Sequence, residues 1–164
     1  MQPIFSFKIR GAYNKIANLN KEQQKTGVIT ASAGNHAQGV ANACKKLKVP
    51  CFIVMPVTAP EIKVKSVKRF GSKVLLHGDN FDQASKKARQ MAKEQKLEFI
   101  EAFDDPLTIA GQGTVGKEIL DEHNDLDVIF VPVGGGGLLA GISAWVAQTQ
   151  SKTKIYGVEV EDSA

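Results

Sequence analysis

Three short segments of this chain carry residue types that could do chemistry together. The first is a run of four glycines, Gly134 to Gly137, followed by Leu138. It comes directly after the apolar stretch Val128-Ile-Phe-Val-Pro-Val133 and ahead of a helical pattern. Glycines let the backbone turn tightly and put no Cβ in the path of a ligand. The helix behind them offers unpaired N–H groups and the positive end of its dipole. A strand–glycines–helix junction of this kind is an anion site, most often for phosphate.

The second segment is Thr30-Ala-Ser-Ala-Gly-Asn-His-Ala-Gln-Gly39. It also follows a strand pattern and opens a helix. Ser32, Gly34 and Asn35 are small or polar, and a helix N-terminus behind them favours a carboxylate. The same residues also suit a plain capped helix start, with Ser32 or Asn35 as the cap. His36 reads either as a helix packing residue or as part of a site. The third segment is Ser6-Phe-Lys-Ile-Arg-Gly-Ala12. In isolation Lys8 is a surface lysine whose stem lies along apolar neighbours. Beside a phosphate cradle and a carboxylate cradle it acquires another role. A lysine amine of depressed pKa in a desolvated pocket can form a Schiff base with a cofactor aldehyde. Lysine, phosphate site and carboxylate site together are what a pyridoxal-phosphate enzyme needs, with the cofactor ring as electron sink.

A rival reading of the glycine run is a dinucleotide site. Gly135-x-Gly137-x-x-Ala140 fits that fingerprint, and Glu159 closes the next strand where a ribose-binding acid belongs. That reading gives no task to Lys8 or Asn35. No Gly-Lys-Ser or Gly-Lys-Thr is present, which excludes a triphosphatase loop of the usual form. A non-catalytic binding or structural piece is the third possibility.

The elements that must hold these segments alternate along the chain. Strands are expected at Val28–Ala31, Cys51–Met55, Lys73–His77, Glu98–Ile100, Val128–Pro132 and Lys154–Val158. Helices are expected at Asn35–Leu47, Pro60–Phe70, Phe81–Lys96, Leu107–His123 and Leu138–Gln148. Such alternation predicts βαβ units and parallel sheet. Cys51-Phe-Ile-Val-Met55 and Val128-Ile-Phe-Val-Pro-Val133 are apolar on both faces, as buried parallel strands are. Thr58 with Glu61 predicts a capping box, with Pro60 in the first turn. Asp105 before Pro106 predicts an N-cap; Asp104 and Asp105 could alternatively form a catalytic carboxylate pair. The chain is expected to pass from one sheet to another near Ile100.

Composition bounds the rest. Hydrophobic residues at 43% and charged residues at 23% describe a globular protein that buries a core rather than a disordered one. The net charge of +4 is spread among acids and glutamines at helical spacing, so nucleic acid is not an expected partner. Cys44 and Cys51 form neither a disulfide framework nor a metal-type set, which points to a reducing compartment. No membrane span and no signal-peptide layout are visible, so a cytoplasmic protein is expected.

Ser6-Phe-Lys8-Ile-Arg-Gly-Ala, Ser32-Ala-Gly-Asn-His-Ala-Gln-Gly39 and Gly134-Gly-Gly-Gly-Leu138 resemble the three signature segments of the threonine dehydratase family. Phe103-Asp-Asp-Pro and Ile109-Ala-Gly-Gln-Gly-Thr114 are similar to that family too. The likeness covers nearly the whole chain. Serine dehydratases and serine racemases share much of the pattern; Ala33 and the Phe-Asp-Asp-Pro segment favour threonine dehydratase.

The resemblance implies an α/β, three-layer, parallel-sheet fold of the tryptophan synthase β-subunit-like kind, pyridoxal-phosphate fold type II. It implies a small domain over 12–100, with 1–11 and 101–164 belonging to a large cofactor-binding domain. Pyridoxal 5′-phosphate would be the cofactor, and a small amino acid the substrate. Lys8 would be the catalytic, cofactor-bearing lysine, and its freed amine would shuttle the α-proton. Phe7 would pack near the cofactor ring and Asn35 would bond its hydroxyl. Ser32, Ala33, Gly34 and His36 would line the substrate carboxylate site. Gly134, Gly135, Gly136, Gly137 and Leu138 would hold the phosphate through backbone N–H groups. Glu159 stands where relatives can bind a cation; no metal is otherwise expected. Threonine would leave as 2-oxobutanoate and ammonia, in isoleucine biosynthesis, from an oligomer of identical chains. Family members usually have a stretch ahead of Ser6-Phe-Lys8 and continue well past Ala164. The chain by itself is therefore expected to fold over its first four strands and to be nearly inactive.

Overall fold

The computed structural model describes residues 2–149 and 152–161. The chain divides into two compact units, Met1–Glu101 and Ala102–Ala164. The division falls next to Ile100, where a passage between sheets was expected.

The first unit begins with two helices that the strand–helix alternation does not reveal. Helix α1 (Lys8–Ala17) buries Ile9, Gly11, Ala12 and Ile16, an apolar stripe at helical spacing. Helix α2 (Lys21–Thr26) starts with a capping box: the Asn20 side chain accepts from the Gln23 N–H at 2.9 Å, and Gln23 Oε1 accepts from the Asn20 N–H at 3.0 Å. Then come β1 (Val28–Ala31), α3 (Asn35–Leu47), β2 (Cys51–Met55), α4 (Glu61–Lys68), β3 (Lys73–Leu76), α5 (Phe81–Gln95) and β4 (Glu98–Phe99). The strands form one parallel sheet in the order β3-β2-β1-β4.

Both faces of that sheet are covered over its central strands, which is why β1 and β2 are almost wholly buried, while the edge strand β3 is mostly exposed. Val28, Cys51, Ile53 and Met55 face one core with Ala12, Ile16 and Val40 from α1 and α3. Ile29, Ala31 and Val54 face the other, with Ala84 and Ala88 from α5. The result is a three-layer α/β/α unit. Cys44 and Cys51 are free and buried. Residues 1–11, expected to side with the second part of the chain, group here with the first unit, because the backbone of Lys8 packs on Gly39 of α3.

Two expected caps are formed differently. Pro60 is the N-cap of α4 without any side-chain cap. Thr58 Oγ1 instead donates to the Asp79 carbonyl at 3.1 Å, and Glu61 pairs with Lys65 at 2.8 Å, so the Thr58–Glu61 box does not form. Helix α3 takes Gly34 as its N-cap, so neither Ser32 nor Asn35 fills that position.

The second unit holds α6 (Pro106–Glu122), β5 (Val128–Pro132), α7 (Gly137–Gln148) and β6 (Lys154–Val158), with β5 and β6 parallel. Asp105 caps α6, its carboxylate accepting from the Leu107 and Thr108 N–H groups at 2.9 Å each. Helices α6 and α7 touch backbone to backbone. A Cβ on Gly141 would come within 2.5 Å of the Ile109 carbonyl oxygen and 2.6 Å of the Gly113 nitrogen. One face of β5 is buried through Ile129 and Val131. Its other face is bare among the described residues: Phe130, 69% exposed, stacks on Tyr156 with ring centroids 5.7 Å apart. The stretch from Val128 reads as apolar on both faces, but only one of them is covered here.

Candidate active site

In the first unit the strand order reverses beside β1. The chain steps outward from β1 to β2 to β3, then returns to lay β4 on the free side of β1. In open α/β sheets the crevice beyond the carboxyl ends of strands at such a reversal is where ligands bind. Residues Ser32 to His36 leave the carboxyl end of β1 at that place. The Ser32 hydroxyl accepts from the Gly34 N–H at 3.1 Å, which folds the loop back on itself. Helix α3 then starts without a side-chain cap, so its first N–H groups stay open to an anion. Asn35 is exposed in the first turn, and Ala33 and Gly34 are half-buried.

Two side chains fasten this loop to the neighbouring strand. Thr30 Oγ1 donates to the Ile100 carbonyl at 2.8 Å. His36 Nε2 lies 3.0 Å from the same oxygen. A carbonyl only accepts, so Nε2 carries the proton and Nδ1 is left as a bare acceptor. Nδ1 is buried and has no partner among the described residues. Burial pushes the His36 pKa down to about 4; the bond to Ile100 opposes this, and the Lys8 charge adds to it. His36 is thus a buried, neutral imidazole.

Lys8 is held in the same region. It is the first residue of α1, its N–H bonded to Ser6 Oγ at 3.3 Å. A Cβ on Gly39 would come within 3.1 Å of the Lys8 carbonyl carbon and oxygen, so any larger residue there would push the start of α1 off α3 by a few tenths of an ångström. Burial lowers the Lys8 pKa, the direction a nucleophilic amine requires. The Phe7 ring lies 5.5 Å from the lysine nitrogen. The structure therefore brings Phe7, Lys8 and the residues 32–36 together in one unit. Gly39 and the Ile100 carbonyl belong with them and were not foreseen; the closing glycine of Ser32-Ala-Gly-Asn-His-Ala-Gln-Gly39 was the available signal for the first.

The glycine loop lies in the second unit. Gly136 has φ +81° and caps α7 with no side-chain bond, leaving the first N–H groups of α7 open. Cβ atoms on Gly134 or Gly136 would meet nothing within 4 Å. The loop borders a hollow of ≈ 350 Å³ with Phe103, Asp104, Ile109 and Ala140. A larger hollow of ≈ 530 Å³ includes Asp121, Asp127, Trp145 and Thr153. It lies at the amino ends of β5 and β6, the wrong end for a ligand in a parallel sheet, so the glycine hollow is the better candidate. With Asp105 engaged as a cap, an Asp104–Asp105 catalytic pair has lost one member. No group of three or more metal-ligating side chains exists among the described residues, at Glu159 or elsewhere.

A phosphate cradle free of side chains and a desolvated lysine fit a phosphorylated aldehyde cofactor. The family model described as pyridoxal-phosphate dependent enzyme matches residues 1–164, and the chain belongs to that family. The dinucleotide reading of the glycine run ends there. Within the family the chain is 55% identical to a threonine dehydratase of Nicotiana attenuata over 97% of its length and 26% of that relative's. It is 55% identical to the L-threonine dehydratase biosynthetic IlvA of Haemophilus influenzae, over 99% of this chain and 32% of that one. The processed form of threonine deaminase isoform 2 from Solanum lycopersicum superposes with a TM-score of 0.95 at 49% identity, covering 98% of this chain and 47% of that structure. Maize serine racemase follows the same fold, with a TM-score of 0.90 at 37% identity over 96% of this chain and 48% of that structure. The chain thus spans 26% to 32% of the length of these curated relatives. No helix among the described residues is long and apolar enough to cross a membrane.

Proposed function

We propose that this chain belongs to a threonine dehydratase, which converts L-threonine to 2-oxobutanoate and ammonia and accepts L-serine as well. The observation that carries the reading is the desolvated Lys8, pinned against the N-terminal half of α3 by the glycine contact at Gly39. When bound, pyridoxal phosphate supplies an electron sink for charge developing at the substrate α-carbon. Lys8 holds the cofactor and then moves the α-proton, for which its lowered pKa suits it. Phe7 packs beside the ring and Asn35 bonds its hydroxyl. Ser32, Ala33, Gly34 and His36 receive the substrate carboxylate at the uncapped start of α3. Gly134 to Leu138 receive the phosphate through backbone N–H groups.

In the same reading, 12–100 form the small domain and 101–164 part of the large cofactor-binding domain of the whole protein; 1–11 belong to that large domain there, although within this chain they group with the first unit. The protein works as an oligomer of identical chains in the cytoplasm, and its reaction serves isoleucine biosynthesis, as the biosynthetic names of its bacterial relatives suggest. A serine dehydratase or racemase is the second reading, favoured by the fit to serine racemase. Incubation of the full-length protein that carries this chain with excess cofactor and either L-threonine or L-serine separates them. Formation of 2-oxobutanoate from threonine, faster than pyruvate from serine, is the expected result. Conversion of L-serine to D-serine without 2-oxo acid from threonine would overturn the proposal.

A further inference from the structure

The four glycines of the loop fall into two pairs. Gly134 and Gly136 face open space. Gly135 and Gly137 face Phe103: a Cβ on Gly135 would come within 2.3–2.6 Å of Phe103 ring carbons, and one on Gly137 would come within 2.9 Å of the Phe103 Cα, Cβ and carbonyl oxygen. A phosphate site explains why the first pair must lack side chains. It does not explain the second pair, whose missing side chains leave room for an aromatic residue from a distant part of the chain.

Phe103 is well placed to hold the loop. The residue is 43% exposed, and its ring lies against glycines rather than in a core. Two residues on, Asp105 fixes the segment to the first turn of α6 through its two bonds to Leu107 and Thr108. Helix α6 is in turn locked to α7 through Gly113 and Gly141, and α7 begins at Gly137. Phe103 and the loop are therefore mounted on the same pair of helices. A run of four glycines unsupported would sample many backbone states, and ordering it on ligand binding would cost affinity.

We propose that Phe103 is a positioning residue that wedges against Gly135 and Gly137 and keeps the open side of the loop, Gly134 and Gly136, set for a phosphate group. This rests on the reading of the loop as the phosphate cradle. Glycine is required at 135 and 137 by the wedge, at 134 by the ligand, and at 136 by its left-handed backbone as well as by the ligand. A side chain at Gly135 therefore acts by displacing Phe103, not by standing in the path of the phosphate.

The test has two arms. In the first, unfolding is measured for Gly135→Ala, Phe103→Ala and the double variant. Gly135→Ala is expected to lower the unfolding midpoint clearly in the parent and hardly at all beside Phe103→Ala. Gly134→Ala, whose Cβ meets nothing, should behave alike in both backgrounds. Additive effects at 103 and 135 would overturn the wedge, whatever the cofactor does. In the second arm, affinity for pyridoxal phosphate is read by quenching of Trp145, the sole tryptophan, with inorganic phosphate as competitor. Phe103→Ala should weaken binding about tenfold for each loop residue it frees. Phe103→Leu, which keeps most of the bulk, should restore most of the loss. Unchanged affinity in Phe103→Ala would overturn the positioning role while leaving the packing intact. A parent that binds neither cofactor nor phosphate would overturn the cradle reading, and the positioning role with it.

Discussion

In the full-length protein, replacing Lys8 by alanine is expected to abolish covalent retention of pyridoxal phosphate and to cut turnover by at least about a thousandfold, since one amine both carries the cofactor and moves the proton. Borohydride treatment of the loaded protein, digestion and mass spectrometry locate the label. It should fall on the peptide containing Ser6-Phe7-Lys8. Lys8→Arg is the sharper variant. It keeps a cation at the start of α1, but a guanidinium stays protonated and cannot act as the nucleophile. The arginine protein should be as inactive as the alanine one while folding normally. A label on any other lysine, or appreciable turnover by the arginine variant, would sink the assignment.

Acid is expected to destabilise the first unit through His36. The folded imidazole has its pKa lowered from 6.5 to about 4, so the unfolded chain binds the proton more readily. Stability is then fully present above pH 6.5, falls as the pH drops towards 4, and loses nothing more from this group below that. The loss amounts to roughly 3 kcal/mol, a large share of what a domain of ordinary stability has. Urea unfolding at a series of pH values measures it, but carboxylates titrate in the same range. The His36→Gln variant isolates the histidine, because an amide can still donate to the Ile100 carbonyl and cannot take up the proton. The gap between parent and variant should narrow or reverse as the pH falls from 7 to 4. A gap that stays constant over that range would show that His36 is not a buried neutral base.

Much of this was readable from residue order because parallel sheet writes a plain pattern. β1, β2, β5 and β6 begin and end where the apolar runs do, and α3 and α5 follow their helical spacing within a residue. Helix α1 is hard to read locally because Gly11 and Asn14 are weak helix formers, although Ile9, Ala12 and Ile16 lie at helical spacing. The Asn20–Gln23 box marked α2 in a form that was equally legible. The Thr58–Glu61 box failed for a tertiary reason, since the threonine hydroxyl is drawn to the Asp79 carbonyl beyond β3. Within the site, residue types announced Lys8 and the glycines, because their chemistry is local. The tie from His36 to Ile100, the approach of Gly39 to Lys8 and the placement of Phe103 on Gly135 depend on contacts between distant positions. No local pattern encodes those.

The backbone contact between α6 and α7 has a practical consequence for attempts to make the protein more heat-tolerant. Filling a helical glycine with alanine ordinarily stabilises a protein by about 0.5–1 kcal/mol, since alanine restricts the unfolded chain. At Gly113 and Gly141 the sign should reverse. The new methyl group would meet main-chain atoms of the facing helix: the Gly141 carbonyl oxygen at 2.8 Å in the first case, the Ile109 carbonyl oxygen at 2.5 Å in the second. Main chain cannot swing aside as a flexible side chain can, so the helices would have to separate. Gly113→Ala and Gly141→Ala should each melt at a lower temperature than the parent. A search for hardier variants guided by helix propensity would nominate these two positions early, and both would be losses.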